Sequence, residues 1–152
     1  MILRAFRPAD LGTLYEIDQS CFPAGISYTQ EELGRFIAHK NSRTWVAEED
    51  EEIAGFIVVD RQPEKVGHII TVDVAGGFRQ RGVGTLLMDA AEAWFRELGF
   101  RLIYLEAAEN NLAAQHFYLA RGYRKAETIA NYYADGSSAW IMVRTLRKPV
   151  ES

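Results

Sequence analysis

Two glycines, two arginines and the start of a helix stand together in residues 78–87, FRQRGVGTLL. Their chemistry is that of an anion site. Gly82 and Gly84 carry no Cβ, so a ligand can approach the main chain closely. The first N–H groups of a helix lack internal partners, and the helix dipole adds partial positive charge there. Such an end suits a phosphate or pyrophosphate, and Arg79 and Arg81 add full charges in fork geometry. A P-loop would require a Gly-Lys pair, which the chain does not contain. A dinucleotide fingerprint would require a third glycine where Leu87 stands. An Arg-x-x-Gly-x-Gly turn for an anion remains, beside the plain alternative of an ordinary strand-to-helix connection.

The surrounding pattern supplies the elements that would hold this turn. Residues 68–74, HIITVDV, are nearly all apolar or β-branched and read as a central strand leading into it. Within that strand Asp73 is either outward-facing or cleft-lining, and His68 is a strand-end histidine with no assigned role. A helix is expected from about Gly82 to Leu98, with Val83, Leu87, Ala90, Trp94 and Leu98 on one apolar face and Asp89, Glu92 and Arg96 on the other. Gly99 suits its C-cap. A strand over 101–107 follows, then a short helix over 112–121 capped by Asn110-Asn111 and closed by Gly122. Two further strands are expected over 123–133 and 139–145, around the turn Asp135-Gly136. Before the central strand, residues 2–6 read as a strand and Pro8 as a helix start. Leu11, Leu14, Tyr15, Ile17, Asp18 and Phe22 trace a helix ending near Pro23. Thr29 and Glu32 have capping-box spacing for a second helix to about His39. Strands over 44–48 and 53–60 flank the acidic run 49–52, read as a solvated hairpin tip rather than a metal site. Strands and helices interleaved in this way give a mixed α/β class in one three-layer domain over residues 1–152.

Composition bounds the possibilities. The chain has 152 residues, 48% hydrophobic and 25% charged, as soluble globular domains do. No apolar run approaches the roughly 18 residues of a membrane span, and no membrane partner is expected. The segment MILRAFRPADL lacks the apolar core of a signal peptide. The one cysteine, Cys21, excludes an internal disulfide, fits a reducing cytoplasm, and reads as a small buried residue at a helix end. A net charge of −4 disfavours a broad nucleic-acid surface, so a polyanionic ligand must be met by local basic groups. Whether the chain is a monomer or a homodimer is left open.

Taken together, Arg79-x-x-Gly82-x-Gly84 after an apolar strand, Leu105-Glu106, Asn111, Phe117-Tyr118 and Arg121-Gly122-Tyr123 resemble the GNAT (Gcn5-related) N-acetyltransferases. Asn131-Tyr132-Tyr133 and Ile141-Met142 are similar to the tail of the branch that acetylates ribosomal-protein alanine N-termini. The resemblance covers most of the chain from Ile53 onward. It implies a central, mixed but mostly antiparallel sheet of six to seven strands with helices on both faces. Two central strands would splay to form an acetyl-CoA cleft. Val72, Asp73 and Val74 would line that cleft, with Val72 and Val74 pairing their main chain with the pantetheine amides as an added strand would. The N–H of Val72 would polarise the thioester carbonyl. Pyrophosphate would lie at Arg79, Gln80, Arg81, Gly82, Val83, Gly84 and Thr85, and Asn111 would bond the pantetheine arm.

Tyr118 matches the family's general acid. A thiolate has a conjugate acid near pKa 8.5 and a tyrosine lies near about 10, so a phenol held against the sulfur can donate as the bond breaks. Glu106 lies where that branch carries its base. Since an ordinary carboxylate, near about 4.3, is a poor direct base for an ammonium, a water relay or a raised pKa is needed, or else Glu106 only attracts the cationic amine. Tyr28, Tyr132 and Tyr133 are candidates to line the acceptor groove, with a half-buried aromatic as the plain alternative for Tyr28. Gly76-Gly77, Ser138 and Tyr28 depart from the pattern. The departures leave acetyl-CoA as cosubstrate, with no metal, and leave the acceptor open. The expected acceptor is a protein or peptide α-amine; the alternatives are a small amine (antibiotic, polyamine or amino acid) or a CoA-binding module without turnover.

Overall fold

The computed structural model describes residues 1–146. The N-terminal strand β1 (Ile2–Ala5) is followed by a 3₁₀ turn at Pro8–Asp10 and helix α1 (Leu11–Cys21). Helix α2 (Gln30–Ala38) begins at the expected capping box. Thr29 Oγ1 accepts from Glu32 N–H at 3.1 Å, and Glu32 Oε1 accepts from Thr29 N–H at 2.9 Å. Strands β2 (Ser42–Glu49), β3 (Glu52–Gln62) and β4 (Val66–Val74) form a meander. Helix α3 (Val83–Glu97) leads to β5 (Leu102–Ala108), and α4 (Leu112–Ala120) leads to β6 (Arg124–Ile129) and β7 (Ala139–Thr145).

The seven strands make one sheet in the order β1-β2-β3-β4-β5-β7-β6. Every neighbouring pair is antiparallel except β4 and β5. That pair is joined only from Val66 to His68, against Leu102 to Tyr104, and beyond His68 the two strands part. The splay between central strands is therefore present. A β-bulge lies just past that point: the register of β3 on β4 slips between Val58 and Val59, so Ile70 is the extra residue on β4.

Each face of the sheet carries its own core. On one side α3 and α4 pack through Leu87, Met88, Ala91, Phe95 and Tyr118; on the other α1 and α2 pack through Leu14, Ile17 and Leu33. Gly67 is where Phe95 meets the sheet, since a Cβ at Gly67 would lie 2.8 Å from the ring.

Two expectations are corrected here. The buried stripe of α3 is Val83, Leu87, Met88, Ala91, Glu92 and Phe95, while Leu98 is 41% exposed. Glu92 lies inside because it accepts hydrogen bonds from Arg121, Arg144 and the Tyr123 hydroxyl. The expected strand over 123–133 ends at Ile129, because Asn131 takes a left-handed turn, with φ of 53°. Among the described residues no helix is long and apolar enough to cross a membrane.

Candidate active site

The anion turn is built as its glycines require. Gln80 and Gly82 have φ of 61° and 80°, and α3 starts at Val83. Its first backbone bond is Leu86 N–H to Gly82 O, at 3.0 Å. Among the described residues no backbone carbonyl or capping side chain takes the N–H groups of Val83, Gly84 and Thr85. Gly84 sits against α4, where its missing Cβ would lie 3.4 Å from the Phe117 ring. The arginines are engaged elsewhere: Arg81 bonds Glu49 Oε2 at 2.7 Å, and Arg79 reaches the Val74 carbonyl at 3.4 Å. Charge at this turn is thus carried by the helix end, with both guanidinium groups held at its rim.

From this turn a groove of about 620 Å³ runs along the open edge of β4. Val72, Val74, Gln80, Thr85, Asn111 and Tyr118 are among the residues that line it. Ala75 N–H donates to Ala54 O at 2.9 Å, so the alternation of the strand turns the N–H groups of Val74 and Val72 toward the opposite, open edge. An unpaired strand edge, a glycine-lined groove and free helix N–H groups fit a ligand with amides at one end and a pyrophosphate at the other. Asn111 Oδ1 caps α4 by accepting from Ala114 N–H at 3.1 Å, so its amide nitrogen is the part left to donate. Asp73, expected at the cleft, does not line it with its side chain. It is 1% exposed and accepts from the Thr71 hydroxyl on the α1 side of the sheet.

The groove meets a smaller cavity of about 80 Å³, closed by Phe22, Ile26, Tyr28, Tyr132 and Tyr133. Tyr118 and Val72 line both spaces. Glu106, at the end of β5, supplies the carboxylate of the cavity. His68, given no role from sequence, donates or accepts through Nε2 to Glu106 Oε2 at 2.7 Å. Its ring stacks on Tyr104 at 4.4 Å, and its Nδ1 lies 3.7 Å from Asp60 Oδ1. Strand pairing brings them together: His68 and Tyr104 are register partners, and Glu106 follows Tyr104 on the same face, so no local sequence signal marks the histidine.

The tyrosines converge on the same point. Tyr132 donates to Glu106 Oε1 at 3.3 Å, and its hydroxyl is pushed up to about 12, by burial first and by Glu106 next. Tyr133 packs edge-on against Tyr132 at 4.9 Å. The loop bearing them is tied to the loop after α1, with Ala134 N–H donating to Gly25 O at 3.1 Å. Tyr28 N–H donates to Asp18 Oδ2 at 2.8 Å, and its ring meets Phe36 edge-on at 5.0 Å. Tyr118 is buried, and burial followed by the charge of Asp73 pushes its hydroxyl well above the usual phenol value. It therefore stays protonated throughout the physiological range.

Known proteins fall in line with this geometry. The model of the acetyltransferase (GNAT) family matches residues 11–123. An uncharacterised N-acetyltransferase of Methanocaldococcus jannaschii is 32% identical over 150 residues, covering 98% of this chain and 93% of that protein. An N-alpha-acetyltransferase of Sulfurisphaera tokodaii is 26% identical, covering 95% and 92%. Among solved structures, Ard1 from Thermoplasma volcanium superposes with a TM-score of 0.83 at 29% identity, over 97% of this chain and 98% of that one. The ribosomal-protein-S18-alanine N-acetyltransferase from Escherichia coli shares the fold, with a TM-score of 0.85 at 19% identity, over 99% and 96%. A seven-stranded sheet splayed at its centre, a glycine turn opening a helix and these relatives lead to one assignment: the chain belongs to the GNAT family of acetyl-CoA-dependent N-acetyltransferases.

Proposed function

We propose that this enzyme transfers the acetyl group of acetyl-CoA to the N-terminal α-amine of a protein or peptide. The observation that carries the reading is the small aromatic cavity in which Glu106 meets His68, with Tyr118 on the wall it shares with the cofactor groove. Val72, Val74 and Asn111, with the N–H groups from Gln80 to Thr85, hold the cosubstrate. The arginines Arg79 and Arg81 border its pyrophosphate end. Tyr28, Tyr132 and Tyr133 enclose the first residue of the acceptor.

Proton traffic follows from the same contacts. The entering ammonium is attracted by Glu106 and must lose a proton before it attacks. Glu106 takes that proton directly or through water, and His68 passes it on toward Asp60. As nitrogen bonds the acetyl carbon, the N–H of Val72 meets the charge building on the carbonyl oxygen. The carbon–sulfur bond then breaks, Tyr118 donates its hydroxyl hydrogen to the departing sulfur, and the second proton of the attacking nitrogen, released as the amide forms, restores that hydroxyl.

The α-amine reading rests on energetics. An α-amine has a pKa of about 7.7–8.0 and a lysine about 10.4, so at pH 7 freeing lysine costs roughly 4.6 kcal/mol against about 1.0–1.4 kcal/mol for the α-amine. A carboxylate–imidazole pair is matched to the smaller cost. The name of the Sulfurisphaera tokodaii relative, an N-alpha-acetyltransferase, supports the same acceptor class. A panel of peptides with free or blocked N-termini, each with and without lysine, tests it by CoA release. Free N-termini are expected to turn over whether or not lysine is present. Equal rates on blocked, lysine-bearing peptides would overturn the assignment, and turnover of small amines alone would replace the acceptor.

A further inference from the structure

Four buried acids lie in the described chain away from the cavity: Asp10, Asp18, Asp73 and Glu92. Asp10 is paired with Arg4, and Glu92 with Arg121 and Arg144. Asp18 on α1 and Asp73 on β4 have no cation against them among the described residues, though they are 0% and 1% exposed. One oxygen of each is occupied. Asp18 Oδ2 accepts from Tyr28 N–H at 2.8 Å, and Asp73 Oδ1 accepts from the Thr71 hydroxyl. Among the described residues the remaining oxygens, Asp18 Oδ1 and Asp73 Oδ2, are buried with no donor, and the two carboxyl groups lie in contact with each other. Two buried carboxylates without a cation cannot both stay ionised at tolerable cost. One proton set between the two orphaned oxygens turns two unpaired acceptors into one hydrogen bond.

We propose that Asp18 and Asp73 form a one-proton latch, a pair of positioning residues that clamps the acceptor wall onto the strand that receives the thioester. The latch rests on the reading of the aromatic cavity as the acceptor site. On one side Asp18 holds the backbone of Tyr28, whose ring lines that cavity. On the other Asp73 lies between Val72 and Val74, whose N–H groups face the open edge of β4.

Burial, with Asp18 beside it, holds the Asp73 carboxyl well above the usual carboxylate range. The folded Asp73 carboxyl therefore keeps a proton that an unfolded aspartate gives up near about pH 3.9. The stabilisation is fully present below that value and is lost as pH rises through the folded one. Other groups face the pair. The Cys21 thiol on α1 is pushed up by burial and by Asp73, and the Tyr118 hydroxyl on α4 by burial and by Asp73. The Tyr28 hydroxyl is raised by burial, with Asp18 among the lesser causes. Arg79, exposed at the rim, reaches Cys21 Sγ at 3.7 Å and bonds neither carboxyl. Cys21, Tyr118 and Tyr28 all remain in an Asp73 variant, so a pH dependence that they cause would persist in it.

The test reads the proton and the wall directly. Asp73→Asn offers Asp18 Oδ1 an amide N–H and keeps the hydrogen bond without a titrating proton. If that variant does not fold, Asp18→Asn serves, because its carbonyl still accepts from Tyr28 and its amide donates to Asp73. Infrared spectra of the free enzyme at pH 7 are expected to show a protonated carboxyl band in the wild type that is missing in the variant. Amide hydrogen exchange, corrected for its intrinsic pH dependence, is expected to show Tyr28 protection falling at least tenfold as that band disappears with rising pH. In the variant it stays level. Over the same interval the wild-type KM for the acceptor rises while that for acetyl-CoA holds. Absence of the carboxyl band at pH 7, or Tyr28 protection with the same pH dependence in both proteins, overturns the latch. The spectra and the exchange need no acceptor, so a failed peptide panel would refute the acceptor class and leave the latch to be decided on its own.

Discussion

At the scale of single residues, the chemistry separates into groups the sequence pattern can mark and groups only the fold brings in. Glu106 and Tyr118 stand at motif positions, and both line the same cavity. His68 does not belong to any local motif. It joins Glu106 because β4 and β5 run parallel over three residue pairs ending at His68 and Tyr104, a pairing between strands 36 positions apart in the chain. Asp73 escaped for a different reason. The bulge at Ile70 changes the parity of β4, so simple alternation cannot say which face an individual residue takes. Tyr118 offers the sharpest test at this scale. Its hydroxyl bonds no protein group among the described residues, while its ring packs edge-on against Phe117 and Tyr123. Tyr118→Phe therefore removes the donor and keeps the packing. We expect kcat to fall on the order of 10²-fold with acetyl-CoA affinity nearly unchanged, as steady-state kinetics and calorimetry would show. Wild-type kcat would make Tyr118 a packing residue.

At the scale of elements, boundaries set by local chemistry were legible, and faces set by tertiary contacts were not. The capping box of α2 depends on Thr29 and Glu32 alone, and it forms as spaced. The buried stripe of α3 depends on what α4 and β7 present to it. Glu92 turns inward because Arg121, at the C-cap of α4, and Arg144, in β7, meet it, and no pattern within α3 carries that information. The turn before α3 is the element on which cosubstrate binding depends. Gly84 has Phe117 on one side and free N–H groups on its own turn, so Gly84→Val forces a branched side chain between α4 and the ligand. Acetyl-CoA affinity is expected to drop at least tenfold, about 1.4 kcal/mol, in a variant that still folds. Calorimetric titration checks it, and an unchanged affinity in a folded variant removes this turn from the binding site.

At the scale of the whole molecule, the sheet is two blocks held by a short seam. Strands β1 to β4 form one block and β5 to β7 the other, and three residue pairs of β4 and β5 join them. The sequence implied the splay only through resemblance, because strand order and the length of a seam are properties of long-range pairing. The open edge of β4 is thus an unfinished part of the fold, and a cosubstrate that pairs with Val72 and Val74 would complete it as an added strand. Binding to the native state alone stabilises it by about 2.7 kcal/mol at a ligand concentration 100 times Kd. For a chain of this size 1 kcal/mol moves Tm by about 2–4 °C, so saturating acetyl-CoA should raise Tm by about 5–11 °C. The accompanying signature is local. Amide exchange at Val72 and Val74 should slow on binding, while amides of β2, already paired on both sides, should change little. A tenfold weaker Gly84→Val should keep only about 1.4 kcal/mol of this stabilisation at the same ligand concentration, and so about half of the rise in Tm. A rise in Tm without protection at Val72 and Val74 would mean that acetyl-CoA binds elsewhere than along this edge.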